Sequence, residues 1–242
     1  AKYLGYWLTF DPSKKRTLLD ECLELEGKSL AVFLESGDML EYGRTYNGLP
    51  LVFWLRVALE WKRQAIKRIV ERGLKQGEKA VVALSKHSDL CELGRAYVTL
   101  ATCMHFLSLY FVAEPEEREK DRLRVVEYLN KAVEFSKQVD DASLLGWTNL
   151  WLGILTEEEK SMGRFEKALE CGKRTRDNWL IASSLDWLAY ITYWRALAME
   201  DPERRRELAE TAMKFYDEAQ HHYSILSYMS VRDGVIGPPA GY

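Results

Sequence analysis

Residues 201–205 read Asp-Pro-Glu-Arg-Arg, and related phrases stand at 114–118 (Glu-Pro-Glu-Glu-Arg) and 11–15 (Asp-Pro-Ser-Lys-Lys). A carboxylate can accept the unpaired amide hydrogens at the start of a helix, and proline fits the first helical position. Acidic residues in the first turn also suit the helix dipole. Each of the three phrases therefore predicts the end of one helix and the beginning of the next.

Other phrases recur at nearly constant spacing. Glu41–Tyr46 (EYGRTY) recurs 51 residues later as Glu92–Tyr97 (ELGRAY), and Leu93–Arg95 recurs after 52 residues as Leu145–Trp147. Repetition at fixed offsets is typical of stacked structural units, whose extended surface is usually the working part. The chain is therefore predicted to be a repeat protein.

Apolar side chains recur at intervals of three and four residues, which is the period of a helix with one buried face. Gly37 can take the left-handed conformation that ends such a helix, and Pro50 predicts a kink or a break within 47–50. No window alternates apolar and polar residues between hairpin turns, so no strand is predicted. The predicted helices span 2–10, 12–36, 39–57, 59–86, 89–113, 116–138, 141–159, 163–176, 178–199 and 202–230.

The composition is that of a globular protein. The 242 residues are 47% hydrophobic and 29% charged, which allows a sizeable core and excludes the low-apolar pattern of disorder. The formal net charge of -3 lacks the positive excess of a dedicated nucleic-acid binder. The four cysteines are scattered, which predicts reduced thiols. No apolar run is long enough to span a membrane and no signal peptide is recognisable, so we expect a cytoplasmic protein with no membrane contact.

Two segments together resemble the tetratricopeptide repeat. Asn149–Gly153 followed by Gly163–Ala168 matches its Leu-Gly and Gly-x-Phe/Tyr-x-x-Ala pattern, and Leu129–Ala132 and Tyr216–Ala219 repeat the second part. Asn149 stands where the family prefers Trp, and Thr156 where it prefers Tyr. The units are spaced by 51, 52, 36 and 51 residues, against about 34 in the family.

The resemblance implies an all-α superhelix, or solenoid, of about five antiparallel helix hairpins with lengthened helices. We expect one repeat domain over residues 1–232 and a flexible Gly/Pro-rich tail over 233–242. Because Tyr3–Pro12 aligns with residues late in a unit, we expect the chain to begin partway through a helix, as a fragment of a longer protein.

In the family the first helix of each pair lines a concave surface that often binds an extended peptide. Carried over by register, this implies binding residues on one face of each first helix, with Ser183 and Asp186 beside the last two. The implied ligand- or peptide-binding residues are Arg44, Asn47, Trp54, Arg95, Thr102, His105, Trp147, Tyr190 and Trp194.

Each group of candidates has two interpretations. Arg44 and Arg95 could hold a carboxylate or phosphate of a ligand, or each could pair with a neighbouring acid such as Glu41 or Glu92 and stiffen the array. The aromatic residues of the C-terminal half could anchor a ligand or fill gaps between helices. Trp151 and Trp187, aligned at an offset of 36, have the pattern of core residues.

The helix predicted near 61–79 carries seven lysines and arginines against Glu71 and Glu78. This basic stripe is typical of a solvated outer face, and it could also attract an acidic partner.

The sequence carries no catalytic motif. The four histidines have no metal-ligand spacing to cysteine or carboxylate, and no glycine-rich phosphate loop, GxSxG or HExxH is present. We therefore expect no enzyme activity, no metal and no cofactor.

The predicted function is protein or peptide binding, as a scaffold or sensor within a larger regulatory protein. Nucleic acid is not expected as a partner, and self-association through the truncated N-terminal helix is a further candidate. The alternative is a small-molecule sensor with an aromatic pocket near Trp147, Tyr190 and Trp194. A closed pocket would favour the alternative, and an open groove would favour a peptide.

Overall fold

The computed structural model describes residues 11–59, 62–155 and 158–232, without the side chains at 48–51, 53–58, 158–159 and 226–232. In these residues every element is an α-helix, so the all-α prediction is confirmed for them. The helices are α1 (Pro12–Ser36), α2 (Met39–Ala58), α3 (Arg63–Leu84), α4 (Leu90–Phe111), α5 (Pro115–Gln138), α6 (Ala142–Leu155), α7 (Glu158–Thr175), α8 (Asn178–Ala198) and α9 (Pro202–Arg232).

Most helix bounds agree with the predictions to within a few residues. The predicted helix 2–10 and the predicted tail 233–242 lie outside the described residues. Pro50 does not break the helix, because α2 continues through it; the alternative that the sequence offered, a kink within 47–50, stays a prediction. The predicted start near Gly163 is wrong, because α7 begins at Glu158 and contains Gly163. Acidic residues suit a helix start better than glycine does.

The Asp/Glu-Pro phrases do begin helices, and two of them also bind the end of the helix before them. Asp11 accepts a hydrogen bond from the amide of Ser13 at 2.8 Å. The Arg118 Nε donates to the carbonyl oxygen of Val112 at 2.6 Å, and the Arg205 Nε donates to that of Met199 at 2.9 Å. Each arginine follows the acidic residue of its phrase by four positions. The phrase therefore starts one helix and satisfies a carbonyl at the end of the previous one.

The chain packs as two compact units that divide between Asp140 and Asp141. In the first unit each helix packs against the next, and α2 also contacts α4. In the second unit α6, α7, α8 and α9 pack in succession, and α6 also contacts α8. The pairs are α2/α3 and α4/α5 in the first unit and α6/α7 and α8/α9 in the second, with α1 packed on α2. One superhelix over residues 1–232 stays a prediction.

Four alanines occupy one repeating position in the second helices. Ala80, Ala132, Ala168 and Ala219 are completely buried, at offsets of 52, 36 and 51 residues. The large residue three positions before the alanine is buried in two of the predicted matches, Leu129 and Phe165. In the third match this position is Tyr216, which is 51% exposed, while Phe215 packs into the core instead.

Two glycines of α6 allow the closest helix contacts of the second unit. A Cβ atom on Gly146 would lie 2.4 Å from the Leu180 Cδ2 and 2.8 Å from the Cys171 Cβ. A Cβ atom on Gly153 would lie 2.5 Å from the ring of Phe165. Because interiors are packed at crystal-like density, a methyl group has no room at either position.

We expect Gly146→Ala to lower the free energy of unfolding by about 1–3 kcal/mol, because α7 and α8 must move away from α6. Gly163→Ala in α7 is the matched control, because no atom lies within 4 Å of its added methyl group. The control should raise stability by up to about 1 kcal/mol through helix propensity alone. Urea unfolding of both variants measures the difference, and equal effects would contradict the packing argument.

The carboxyl group of Glu26 lies half-buried on the packed face of α1. Leu23 and Leu30 pack against the cluster around Tyr46 and Leu84, and Glu26 lies between them at helical spacing. The Glu26 Oε2 is buried without a hydrogen-bond partner among the described residues. Burial raises the pKa of Glu26 to about 7, from an ordinary value of 4.5.

The raised pKa makes stability depend on pH in a defined direction. The folded state holds the proton that the unfolded state releases above pH 4.5, so the contribution of Glu26 is full below that pH and is lost as the pH rises to about 7. We expect Glu26→Gln to be more stable than the parent above pH 7 by about 1–2 kcal/mol, because the side chain keeps some solvent contact. Near pH 4.5 the two should be equal.

Glu24→Gln is the control for this prediction. Glu24 is exposed, and its hydrogen bond and ion pair with Lys28 at 2.6 Å lower its pKa. Chemical unfolding between pH 4 and 8 should show no gain in stability for this variant. The argument fails if the two glutamine variants have parallel pH profiles.

Candidate functional site

The first turns of α4 and α8 are built in the same way. Asp89 accepts a hydrogen bond from the amide of Glu92 at 3.1 Å, and Asp177 accepts one from the amide of Leu180 at 3.0 Å. Each aspartate therefore satisfies an amide hydrogen at the start of a first helix. In both cases the second carboxylate oxygen remains for a bond from another helix.

That bond comes from the preceding first helix. Its donor occupies the same position of the repeat in both cases. The Arg44 Nη2 of α2 donates to the Asp89 Oδ2 at 2.5 Å, and the Trp147 Nε1 of α6 donates to the Asp177 Oδ2 at 3.0 Å. Arg44 and Trp147 both lie six residues after an aspartate, Asp38 and Asp141. Two of the predicted binding residues thus connect consecutive first helices.

Both predicted arginines pair with neighbouring acidic residues, which was the second of the two interpretations of the sequence. Arg44 also lies 2.5 Å from Glu41, and Arg95 lies 2.7 Å from Glu92. The pKa of Arg44 is raised, first by its bond to Asp89 and then by its bond to Glu41. Burial opposes the charge of Asp89, but the amide of Glu92 and the Arg44 guanidinium outweigh it, so the pKa of Asp89 is lowered.

Three further candidates face neighbouring parts of the protein. The Asn47 Nδ2 donates to the Glu92 Oε2 at 3.0 Å. Thr102 is buried and donates to the carbonyl of Val98, one turn before it in α4. His105 packs edge-on against Phe106, and burial lowers its pKa. The side chain of Trp54, the remaining candidate of α2, lies outside the described residues.

The last two candidates come together at a cleft in the second unit. The cleft has a volume of about 280 Å³ and is open to solvent. Its floor is the ring of Phe165 in α7, stacked on Trp187 of α8 at a centroid distance of 5.6 Å and an angle of 6°. The lining residues are Gly153, Ile154, Ser161, Phe165, Trp187, Tyr190, Ile191 and Trp194.

Tyr190 and Trp194 form the rim of this cleft. Tyr190 meets Trp187 edge-on at 5.6 Å and Trp194 at 6.1 Å. Tyr190 is 54% exposed and Trp194 is 50% exposed, although both rings are large and apolar. Such rings, half seated in a cleft, are the usual anchors for a bound molecule.

The predicted aromatic pocket is corrected in one respect. Trp147 does not line the cleft; it lies near the beginning of α6, where its ring nitrogen binds Asp177. Sequence reasoning missed Phe165 as a cleft residue and assigned Trp187 to the core. Both interpretations hold for Trp187, which is half-buried against the core and also lines the cleft. The sequence did contain a signal for the cleft: the offset of 36 residues aligns two of its lining residues, Ile154 and Tyr190.

The basic stripe of α3 lies on its exposed side. Arg68, Arg72 and Lys75 are exposed, while Gly73 and Gly77 are buried on the opposite face. Arg63 donates to the carbonyl of Tyr110 at 2.7 Å, at the end of α4. The stripe therefore has the placement of an outer face with some structural bonds.

The described residues contain no group of three His, Cys, Asp or Glu side chains that could hold a metal ion. Likewise, none of the helices in the described part of the chain is long and apolar enough to cross a membrane. Comparison with protein-family models and with curated proteins finds no match to this chain.

We expect the Trp147 to Asp177 bond to contribute about 0.5–1.5 kcal/mol to the stability of the second unit. A double-mutant cycle with Trp147→Phe and Asp177→Asn measures it, because phenylalanine keeps a ring and asparagine keeps a helix cap. Trp187→Phe replaces Trp147→Phe in the control cycle, since Trp187 stacks on Phe165 and not on Asp177. Equal coupling in the two cycles would contradict the assigned bond.

Proposed function

We propose that this chain is a helical-repeat domain that binds a protein or an extended peptide, as the interaction or sensor part of a larger regulatory protein. One observation carries the proposal: the cleft between α6, α7 and α8 is open and is lined mostly by aromatic and aliphatic residues, and its rim is formed by the half-exposed rings of Tyr190 and Trp194. An open cleft accepts a chain that enters at one end and leaves at the other.

The resemblance to tetratricopeptide repeats supports this proposal. Its concave surface is formed by first helices, and Ile154, Tyr190 and Trp194 all belong to first helices of the second unit. Under the proposal the helix pairs continue as one superhelix, and the cleft is part of its inner surface.

The contact residues of the proposal are those of the cleft. Arg44 already pairs with the carboxylates of Glu41 and Asp89, and Arg95 pairs with that of Glu92. A ligand anion would have to compete with these ion pairs, whereas the aromatic rim needs no such exchange. We therefore assign the binding energy to apolar side chains of the ligand that enter the cleft and pack against the rings of Tyr190 and Trp194.

A small-molecule ligand is the second candidate, and the size of the cleft favours it. A volume of about 280 Å³ is close to the lower end of ligand pockets, about 300 Å³. The stacked rings of Phe165 and Trp187 would accept a flat aromatic molecule. The openness of the cleft favours the peptide.

Selection of linear peptides from a displayed random library against the full chain tests the proposal. We expect enriched peptides whose dissociation constants rise about tenfold or more in the double variant Tyr190→Ser, Trp194→Ser, because the variant loses both aromatic anchors. Binding is measured by fluorescence anisotropy of labelled peptides.

The control for this experiment is the double variant Leu109→Ser, Tyr110→Ser. These α4 side chains are 47% and 54% exposed, which matches the rim residues, and they lie in the first unit. The proposal fails if no peptide is enriched or if both double variants weaken binding equally. Saturable chemical-shift changes of the Trp187 and Trp194 indoles with small aromatic compounds, without any enriched peptide, would favour the second candidate.

A further inference from the structure

Four exposed cations form a single row along α3. They follow one another at intervals of four, three and four residues, which places them on one face of the helix. On the opposite face α3 packs against α4, where a Cβ atom on Gly77 would lie 3.3 Å from the Leu100 Cδ1. With a rise of about 1.5 Å per residue, the row extends over roughly 16 Å. We call it the basic row, and its members are Arg68, Arg72, Lys75 and Lys79.

The matching face of α5 has a different charge pattern. An offset of 52 residues relates α3 to α5, as the buried alanines of the two helices show. By this offset Lys75 corresponds to Glu127. Val82, which follows the basic row on the same helix face, corresponds to Glu134. The face of α5 therefore carries two carboxylates where that of α3 carries a cation and an apolar side chain.

One lysine in each helix shows what this difference means. The Lys131 Nζ of α5 lies 5.5 Å from the ring centre of Tyr97, and it pairs with Glu127 at 2.7 Å. The counterpart Lys79 lies over the ring of Tyr46 in the same way, at 5.2 Å. Four residues before it, however, stands a second lysine of the basic row. The contact between lysine and tyrosine is thus repeated in both pairs, and the carboxylate is not.

The repetition of like charge is unfavourable for the helix itself. Cations four residues apart destabilise a helix, and the basic row contains two such pairs. Among the described residues, Arg68 and Lys75 have no ion pair. Proteins keep locally unfavourable residues mainly at functional sites. The basic row therefore has the character of a binding surface for an anionic partner.

Two neighbouring carboxylates limit the kind of anion that fits. Glu71 and Glu78 are exposed and lie on one side of the basic row, two helical turns apart. They repel a polyanion that is wider than the row, and the formal net charge of -3 adds to this repulsion. A nucleic acid has phosphates along its whole surface. An acidic peptide, in contrast, can carry its carboxylates on one face and basic residues beside them.

The spacing of the basic row favours an acidic peptide that is helical. Glutamates at the same intervals on a partner helix recur on average every 5.5 Å or so, as the cations of the row do. On one side of an extended chain, side chains recur only about every 6.7 Å, so the charges fall out of step. Val82, which is 60% exposed, lies at the end of the row and can meet an apolar side chain of the partner.

We infer that the basic row binds an acidic amphipathic helix of a partner protein. The glutamates of this helix face the row at intervals of three and four residues. A basic residue beside them faces Glu78, and an apolar side chain packs on Val82. The row belongs to the first unit and none of its residues lines the cleft. The inference therefore does not depend on the proposed function.

The probe is a labelled alanine-based helical peptide. Its glutamates recur at intervals of four, three and four residues, and a leucine stands on the same face beyond each end of the glutamates. A second peptide has the same composition, with the glutamates distributed around the helix. Anisotropy titrations with the full chain should give a dissociation constant about tenfold lower for the first peptide. Added salt should weaken this binding, because salt screens exposed charges.

A charge reversal in the row tests the contact without risk to the fold. Lys75→Glu should weaken binding of the first peptide about tenfold or more. It recreates the arrangement of Glu127 and Lys131 in α5, so we expect it to be as stable as the parent. Lys120→Glu is the control, because Lys120 is exposed and corresponds to Arg68. The control and the cleft variant should leave binding unchanged, and circular dichroism checks the fold of each.

The inference is overturned if the chain does not bind the first peptide, binds both peptides equally, or loses binding equally with Lys75→Glu and Lys120→Glu. It is also overturned if a short DNA duplex binds more tightly than the first peptide at the same salt concentration and is weakened by Lys75→Glu. The row would then serve a nucleic acid. Peptide selection at the cleft remains an independent result in every case.

Discussion

The close approach of paired helices at small residues is the constraint on which the rest of the structure depends. Gly146 and Gly153 leave no room for a methyl group, and the repeated alanines of the second helices have no exposed surface. Gly153 of α6 leaves room for the large ring of Phe165 in the paired helix α7. Phe165 reaches Trp187 for this reason, and the cleft is what remains open beside their stacked rings.

Within each unit, polar bonds at the helix ends connect one first helix to the next. Asp89 and Asp177 each hold the first turn of their own helix and accept a bond from the preceding first helix. A chemically different donor, guanidinium in one place and indole in the other, serves the same position. The two copies therefore share the geometry of this hydrogen bond, whereas the residue that donates it differs.

The helices were predictable because proline, acidic caps and helical spacing act locally. The cleft was only partly predictable: the register placed Tyr190 and Trp194 on one face, but it also grouped them with Trp147, whose indole nitrogen is used at the other end of the helix. Asn149 shows the same limit. It replaces the aromatic residue expected by resemblance, and it is buried because Arg164 donates to its Oδ1 at 3.0 Å. Such compensation depends on a contact across helices, which no local pattern contains.

The side-chain bonds between helices described above join residues that are less than one long repeat apart in the sequence. Arg63 to Tyr110 spans 47 positions, and the Trp147 to Asp177 bond spans 30. Each bond therefore closes a loop of limited length, and the entropy cost of closing a loop rises only slowly with its length. A chain built in this way can begin to assemble on the ribosome as soon as one pair has emerged. Under a pulling force within either unit, it would lengthen in steps of one helix pair, without a single all-or-none rupture.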